Sequence, residues 1–186
     1  MGLDITAYSH LTYVGHHPVE RPDNNGLCHL RYDADDNKFH VPAYAYDSFP
    51  HALLGIPEVK PSPYPDIVTG GCFEVTEKTE SHGFQAGSYS GYNAWRGDLA
   101  ERFNPYRDNG QPSPEGPFYE LIWFADNEGT IGELAAVSLL ADFRQREAEY
   151  RAAHLGTERG DYFVEKYAGW LRACELAADG GLIDFH

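Results

Sequence analysis

Residues 130–150, TIGELAAVSLLADFRQREAEY, carry the pattern that decides the fold of this chain. Their apolar residues recur at intervals of three and four, which is the spacing of one face of an amphipathic helix. Thr130 followed by Glu133 has the spacing of a capping box, so we expect the helix to begin there. The apolar face consists of Ala136, Leu139, Leu140, Phe143 and Tyr150.

Two further helices are predicted on either side of this stretch. Ser90 can cap an earlier helix, which Asn104 and Pro105 end because the residue before a proline disfavours helical geometry. A later helix is expected at 162–178, with Gly180 and Gly181 ending it. Between the first two helices, the apolar run at 118–124 is too short to classify. The apolar faces of the flanking helices are Tyr92, Trp95, Leu99 and Phe103, and Phe163, Tyr167, Trp170, Leu171 and Cys174.

The first half of the chain has the pattern of strands and loops. Leu3, Ile5 and Ala7 alternate with polar residues, as in a half-buried strand, and residues 11–14 could continue that strand or pair with it. Strands are also expected at 28–32, 39–46 and 72–76, with 182–185 as a possible last strand. Residues 50–65 contain five prolines and indicate a long surface loop.

Strands followed by helices predict an α+β fold in one globular domain spanning residues 1–186. We expect a mostly antiparallel sheet from the N-terminal half, with about three helices from the C-terminal half packed on one face. The 186 residues match the size of one domain, and 42% of them are hydrophobic, which is enough for a core. The fold therefore needs neither a disulfide nor a metal.

The chain carries a formal net charge of −15, from 29 acidic and 14 basic residues. Such a charge repels phosphate backbones and anionic lipid, so binding to nucleic acid or to membranes is disfavoured. It suits a basic protein partner or a cation, although a merely solubilising surface has the same composition. The start of the chain, MGLDITAYSH, lacks the bases and apolar run of a signal peptide, so we expect a cytoplasmic protein.

Short motifs give little support to an enzyme. The sequence has no P-loop, GxGxxG, GxSxG, HExxH or EF-hand pattern. Its three cysteines are far apart, and its nine histidines show no HxH or HxxxH spacing on a predicted helix. No cofactor is predicted, and a divalent cation is the one candidate ligand of that kind.

That candidate rests on Asp126, Asn127 and Glu128, which cluster oxygen ligands directly before the helix of residues 130–150. Carboxylate and amide oxygens are the ligands that Mg²⁺ and Ca²⁺ prefer. We therefore name Asp126 and Glu128 as candidate metal ligands. The alternative is a turn in which these side chains accept bonds from backbone amides.

Residues 83–96 contain the best candidate for a binding site. Glycines at 83, 87 and 91 permit close backbone approach, and hydroxyls gather where a helix starts. A helix start can hold an anion, while aromatic residues with an arginine are typical of protein interfaces. The alternative is a strand-to-helix turn with a capping serine and core-facing aromatic residues. The candidate binding residues are Ser88, Tyr89, Ser90, Tyr92, Asn93, Trp95 and Arg96.

Several blocks of the sequence resemble uncharacterised proteins of bacteriophages and bacterial genomes. These blocks are residues 1–5 (MGLDI), 87–96 (GSYSGYNAWR), 126–132 (DNEGTIG) and the end of the chain from Glu175. The resemblance covers most of the chain in scattered pieces and brings no established activity, cofactor or catalytic residue. It implies a phage or mobile-element accessory protein.

Three functions are compatible with these observations. The first is an accessory protein that binds and modulates a basic, nucleic-acid-handling host protein, for example as an inhibitor of a defence effector. The second is a small metal-dependent hydrolase or transferase, with Asp126 and Glu128 as cation ligands or acid and base, and with Ser88–Ser90 and Arg96 holding an anionic substrate. The third is a self-associating structural protein. The charge, the missing motifs and the resemblance favour the first.

Overall fold

The computed structural model of the protein describes residues 2–16, 31–33, 38–40, 71–74, 76–123 and 129–185. The strands in these ranges are β1 (Gly2–Tyr8), β2 (Thr12–His16), β3 (Arg31–Asp33), β4 (Lys38–His40), β5 (Gly71–Glu74), β6 (Ser81–Ser88), β7 (Gly129–Gly132) and β8 (Leu182–Phe185). The helices are α1 (Tyr89–Phe103), α2 (Tyr119–Trp123), α3 (Glu133–His154) and α4 (Gly160–Ala177).

The strands form two antiparallel sheets, and together with the helices they confirm the α+β fold. The first sheet has the order β6-β1-β8-β7, and the second has the order β2-β5-β4-β3. The last strand of the chain pairs with the first, with Ile5 opposite Phe185. The first sheet therefore draws on both halves of the sequence, because β7 and β8 join strands from the N-terminal half.

The hydrophobic core lies against one face of the first sheet. Leu3, Ile5 and Ala7 are buried on β1, as their alternation predicts, and Ile183 and Phe185 of β8 lie on the same face. Helices α1 and α4 pack on β1 and β6, and α3 packs on α4. Burial of each large apolar side chain stabilises the fold by about 1.5–3 kcal/mol.

Three large aromatic residues form the centre of the helical layer. Tyr92 and Trp95 of α1 and Trp170 of α4 lie nearly parallel, with ring centroids 5.9–6.1 Å apart. Phe84 of β6 meets Trp170 edge-on, at 5.4 Å. These contacts join α1, α4 and the sheet, since offset and edge-on aromatic pairs are both favourable.

The predicted capping box at Thr130 is wrong. Thr130 lies in β7, and the residue before α3 is Gly132, which makes no side-chain capping bond. The Glu133 carboxylate accepts a hydrogen bond from the Gly180 amide instead, at 3.3 Å. Pairing of β7 with β8 extends the chain through Gly132, so long-range strand pairing overrides the local capping pattern.

The predicted helix after Ser90 begins earlier, and its cap is Ser88. The Ser88 hydroxyl accepts the Gly91 amide at 3.1 Å, while Ser90 lies in the first turn. The helix ends at Phe103 with Asn104 as its C-terminal cap, so it stops where the sequence predicts. The helix predicted at 162–178 is also present, as α4.

Other expectations for the first half are met only in part. Residues 11–14 overlap β2, which pairs with β5 in the second sheet rather than with β1. The predicted loop at 50–65, and most of the predicted strands at 28–32 and 39–46, lie outside the described residues. Among the described residues, no helix has the length and apolar character that a membrane span requires.

Candidate binding surface along helix α1

The start of α1 is packed tightly against α4. Gly87 has φ +125°, a conformation that favours glycine, and the Tyr162 hydroxyl fills the space where a side chain at this position would lie. At Gly91, an added Cβ would lie 2.7 Å from the same hydroxyl oxygen. The two glycines thus let the chain turn from β6 into α1 beneath the first turns of α4.

The structure divides the predicted binding residues into two groups. Tyr92 and Trp95 are completely buried. Trp95 also donates from Nε1 to the carbonyl of Phe163, at 3.2 Å. These two side chains therefore hold α1 against α4, and a ligand on the surface would not touch them. The other predicted residues reach solvent and are Ser88, Tyr89, Ser90, Asn93 and, in part, Arg96.

The exposed group includes a cation that is held in position, Arg96, and an exposed aromatic ring, Tyr89. The Arg96 guanidinium lies 5.1 Å from the centre of the Tyr92 ring and donates to the Asn93 side chain. Contact with the ring face stabilises a cation and fixes its orientation. Tyr89 lies about one helical turn before Tyr92 and is 40% exposed, so it offers a ring and a hydroxyl to a partner.

A partly buried polar cluster ties the C-terminal end of α3 to α1. His154 Nε2 lies 2.9 Å from Asp98 Oδ2, and Arg102 Nε donates to Asp98 Oδ1 at 3.1 Å. His154 is only 4% exposed, so this contact is shielded from water. Burial and the nearby Asp98 carboxylate raise the pKa of the Tyr150 hydroxyl, which therefore stays protonated.

Two hydrogen bonds tie the ends of the α3–α4 connection to α1. Asp98 bonds to the last residue of α3, and Trp95 bonds to the first turn of α4. Leu155 in that connection is 86% exposed. We use the name α1 surface for the exposed residues of α1 together with those of this connection and the start of α4, which are Tyr89, Ser90, Asn93, Glu101, Leu155, Glu158 and Asp161.

The sequence pattern misses half of this surface. Glu101 lies on α1 itself, but Leu155, Glu158 and Asp161 are more than 50 residues further along the chain. Nothing in their spacing signals a site, because a polar turn between two helices has the same composition. The segment that carries them is tied to α1 by the long-range bond between Asp98 and His154.

Positive charge is largely neutralised within the described part of the molecule. At least six of the ten lysines and arginines with described side chains pair with a carboxylate within 3.5 Å. In contrast, seven exposed carboxylates have neither a cation partner nor a hydrogen bond among the described residues. Three of the seven belong to the α1 surface. The seven are Asp4, Glu77, Glu101, Asp108, Glu115, Glu158 and Asp161.

The candidate metal ligands Asp126 and Glu128 lie outside the described residues. Within the described ranges, no group of three or more histidine, cysteine or acidic side chains is arranged to hold a metal ion. Cys174 is completely buried, and burial with nearby carboxylates raises the pKa of its thiol. Its thiol is therefore a core group rather than a nucleophile or a metal ligand.

Comparison with known proteins identifies no relative. No protein-family model, curated protein or solved structure matches the chain.

Proposed function

We propose that the protein is an accessory protein, of the phage or mobile-element type, that binds and modulates a basic, nucleic-acid-handling protein. The observation that carries this proposal is the uneven use of charge on its surface. Most described cations pair within the molecule, whereas seven exposed carboxylates have neither a cation partner nor a hydrogen bond among the described residues. The charge left facing solvent is therefore negative and available to a cationic partner.

The α1 surface is the part of the molecule best suited to this partner. Glu101, Glu158 and Asp161 provide negative charge for attraction and for orientation during encounter. Tyr89 and Leu155 provide exposed aromatic and apolar area, which supplies most of the binding free energy at a protein interface. Charge alone would attract any basic protein, so the exposed side chains between the acids would determine which one binds.

The protein would modulate its partner by covering the surface with which the partner binds nucleic acid. A nucleic-acid-handling protein carries a basic surface for its substrate, and an acidic protein seated there excludes the nucleic acid by competition. The net charge of −15 opposes binding of nucleic acid to the protein itself, so the two acidic species compete for one basic surface. No cofactor enters this proposal.

Affinity capture from a lysate of the source cell tests the proposal. The bait is the full chain, compared at low and high salt with a variant carrying Glu101→Gln, Glu158→Gln and Asp161→Asn. We expect a basic nucleic-acid-handling protein on the native bait at low salt and its loss from the variant. Removal of nucleic acid with nuclease before capture should leave this result unchanged.

A second variant separates the α1 surface from general acidity. Asp4→Asn, Glu77→Gln and Glu115→Gln remove the same amount of charge from exposed, unpaired sites elsewhere on the described surface. This variant should retain the partner. Equal loss from both variants would show that charge acts without a defined surface, and a native bait that captures no basic protein would refute the proposed function.

A further inference from the structure

In the described structure, strand β6 leaves one backbone edge of the first sheet without a partner strand. It lies at the end of that sheet and pairs only with β1 among the described strands. The Ser9 amide bonds to the Glu80 carbonyl at 3.0 Å, which sets the alternation of hydrogen-bonded pairs along the ladder. His82 and Phe84 therefore bond to β1, while the amides and carbonyls of Ser81 and Gly83 point away from the sheet.

The outward direction is confirmed at the next alternate residue. The Gln85 carbonyl accepts a hydrogen bond from Lys166 Nζ of α4, at 2.9 Å, from the side opposite β1. Ser81, Gly83 and Gln85 are all exposed, and Gly83 has no side chain to obstruct a neighbouring backbone. An unprotected strand edge of this kind is a template for another strand.

Helix α4 runs antiparallel to β6 and lies above this edge. Lys166 contacts Gln85, Gly169 packs against the Phe84 ring, and Arg172 reaches Glu80 at the other end of the strand. The outer side of the helix carries two opposite charges with a small exposed residue, Ala168, between them. Glu165 is 73% exposed and Arg172 is 48% exposed.

The edge of β6 and the outer side of α4 are complementary to the same edge and helix of a second copy related by a two-fold rotation. If Gly83 faces Gly83 of a second copy, Ser81 lies opposite Gln85 of that copy, and outward amides meet outward carbonyls. Above the strands, the two α4 helices cross antiparallel at Ala168, where a small side chain permits close approach. Glu165 of each copy then faces Arg172 of the other, so both ends of the interface pair opposite charges.

We infer that the open edge of β6 and the outer side of α4 form a homodimer interface, which joins two first sheets into one continuous sheet. The occupant of this edge is a second copy of the chain. When two α4 helices lie antiparallel, Glu165 of each copy faces Arg172 of the other, so this side of α4 is complementary in charge to itself. Lys166 does not block the pairing, since the Gln85 carbonyl has a second lone pair for the Ser81 amide. This assembly is independent of the proposed basic partner, which would bind the α1 surface.

The interface is small, and each copy carries a net charge of −15. A short strand pair with one helix crossing buries less area than a standard stable interface, so we expect weak, micromolar association. Long-range repulsion between the acidic copies is screened at physiological salt, where the Debye length is about 8 Å. Dimers should therefore form at physiological salt and dissociate on dilution.

Sedimentation velocity of the full chain at micromolar to submillimolar concentrations tests the edge. Gly83→Pro removes the outward amide and spares the ladder with β1, since Gly83 is not hydrogen-bonded to Thr6 there. It should weaken the dimer about tenfold or more. Gly83→Ala is the matched control, because its Cβ would have no neighbour closer than 3.8 Å and its amide remains. A native chain that stays monomeric, or a Gly83→Pro variant that dimerises normally, would overturn the inference.

A charge exchange tests the helix crossing and does not depend on the proline variant folding. Glu165→Arg alone places two arginines opposite each other at each end, and Arg172→Glu alone places two glutamates there. Each single variant should be monomeric, but an equal mixture should form heterodimers in which every facing pair is opposite in charge. Dimerisation of the mixture supports the interface, because mixing cannot repair folding defects. Failure of the mixture to dimerise, when circular dichroism shows both variants to be folded, contradicts the interface. A partner protein occupying the edge instead would leave all variants monomeric, including the native chain.

Discussion

At the scale of single residues, Asp142 shows how a buried charge can organise a segment. Its carboxylate accepts the Phe118 amide at 2.8 Å, directly before α2. Phe118 is completely buried and has φ +57°, a conformation that few residues other than glycine adopt. The apolar run at 118–124 could not be classified from sequence, because this backbone geometry depends on a carboxylate from α3 and on the surrounding core.

Replacement of Asp142 should change how stability depends on pH. Burial raises the pKa of the Asp142 carboxyl above its usual 3.8, more than the Phe118 amide and Arg146 lower it. The folded state therefore binds the proton more tightly than the unfolded chain. The contribution of this group to stability is complete below the unfolded pKa and is lost as pH rises through the folded pKa.

Asp142→Asn keeps an oxygen acceptor for the Phe118 amide and removes the cost of burying a charge. Relative to the native chain, the variant should gain stability between pH 4 and pH 7. Urea unfolding at both pH values measures this difference. A relative loss of stability at pH 7 would show that the Asp142 charge stabilises the native fold.

The Asp98 contact predicts a second effect at this scale. Asp98→Ala leaves the buried His154 ring nitrogen and the Arg102 guanidinium without their shared acceptor. We expect a loss of about 2 kcal/mol in the free energy of unfolding, because bonds to charged groups contribute about 1.5–3 kcal/mol. Glu101→Ala, on an exposed and unpaired side chain of the same helix, should change it by less than about 0.5 kcal/mol. Equal effects of the two variants would contradict the assigned role of Asp98.

At the scale of elements, apolar periodicity predicts the faces of the helices better than their first residues. Tyr92, Trp95 and Leu99 are buried on α1 as their spacing predicts, because burial follows directly from the period of a helix. The caps depend on what precedes each helix. Strand β6 continues to Ser88 and β7 continues to Gly132, so strand pairing determines where α1 and α3 begin.

The cap of α1 gives a prediction at this scale. Ser88→Ala removes the acceptor of the Gly91 amide and should destabilise the protein by about 1 kcal/mol. Ser90→Ala should cost only a few tenths of a kcal/mol, since the Ser90 hydroxyl contacts Ser88 Oγ and caps no amide in the described structure. Thermal unfolding compares the two variants. A larger effect of the Ser90 substitution would indicate that Ser90 caps the helix, as the sequence predicts, and would contradict the role of Ser88.

At the scale of the whole molecule, composition and element order were sufficient for the fold class but not for the candidate site. The α+β class follows from strands followed by helices, and it is present. The α1 surface combines an exposed helix face with a turn more than 50 residues away, and only the packing of α1 against α3 and α4 brings them together. Of the predicted binding residues, Tyr92 and Trp95 are part of the core because their aromatic area is used for folding.

The affinity of the captured basic partner, measured by titration over a range of salt concentrations, tests the proposed function most directly. Electrostatic association should weaken steeply as salt rises. The variant lacking the charges of Glu101, Glu158 and Asp161 should bind more weakly at low salt and depend less on salt. An affinity that does not change with salt, or that is the same for the native chain and this variant, would contradict binding through the acidic α1 surface.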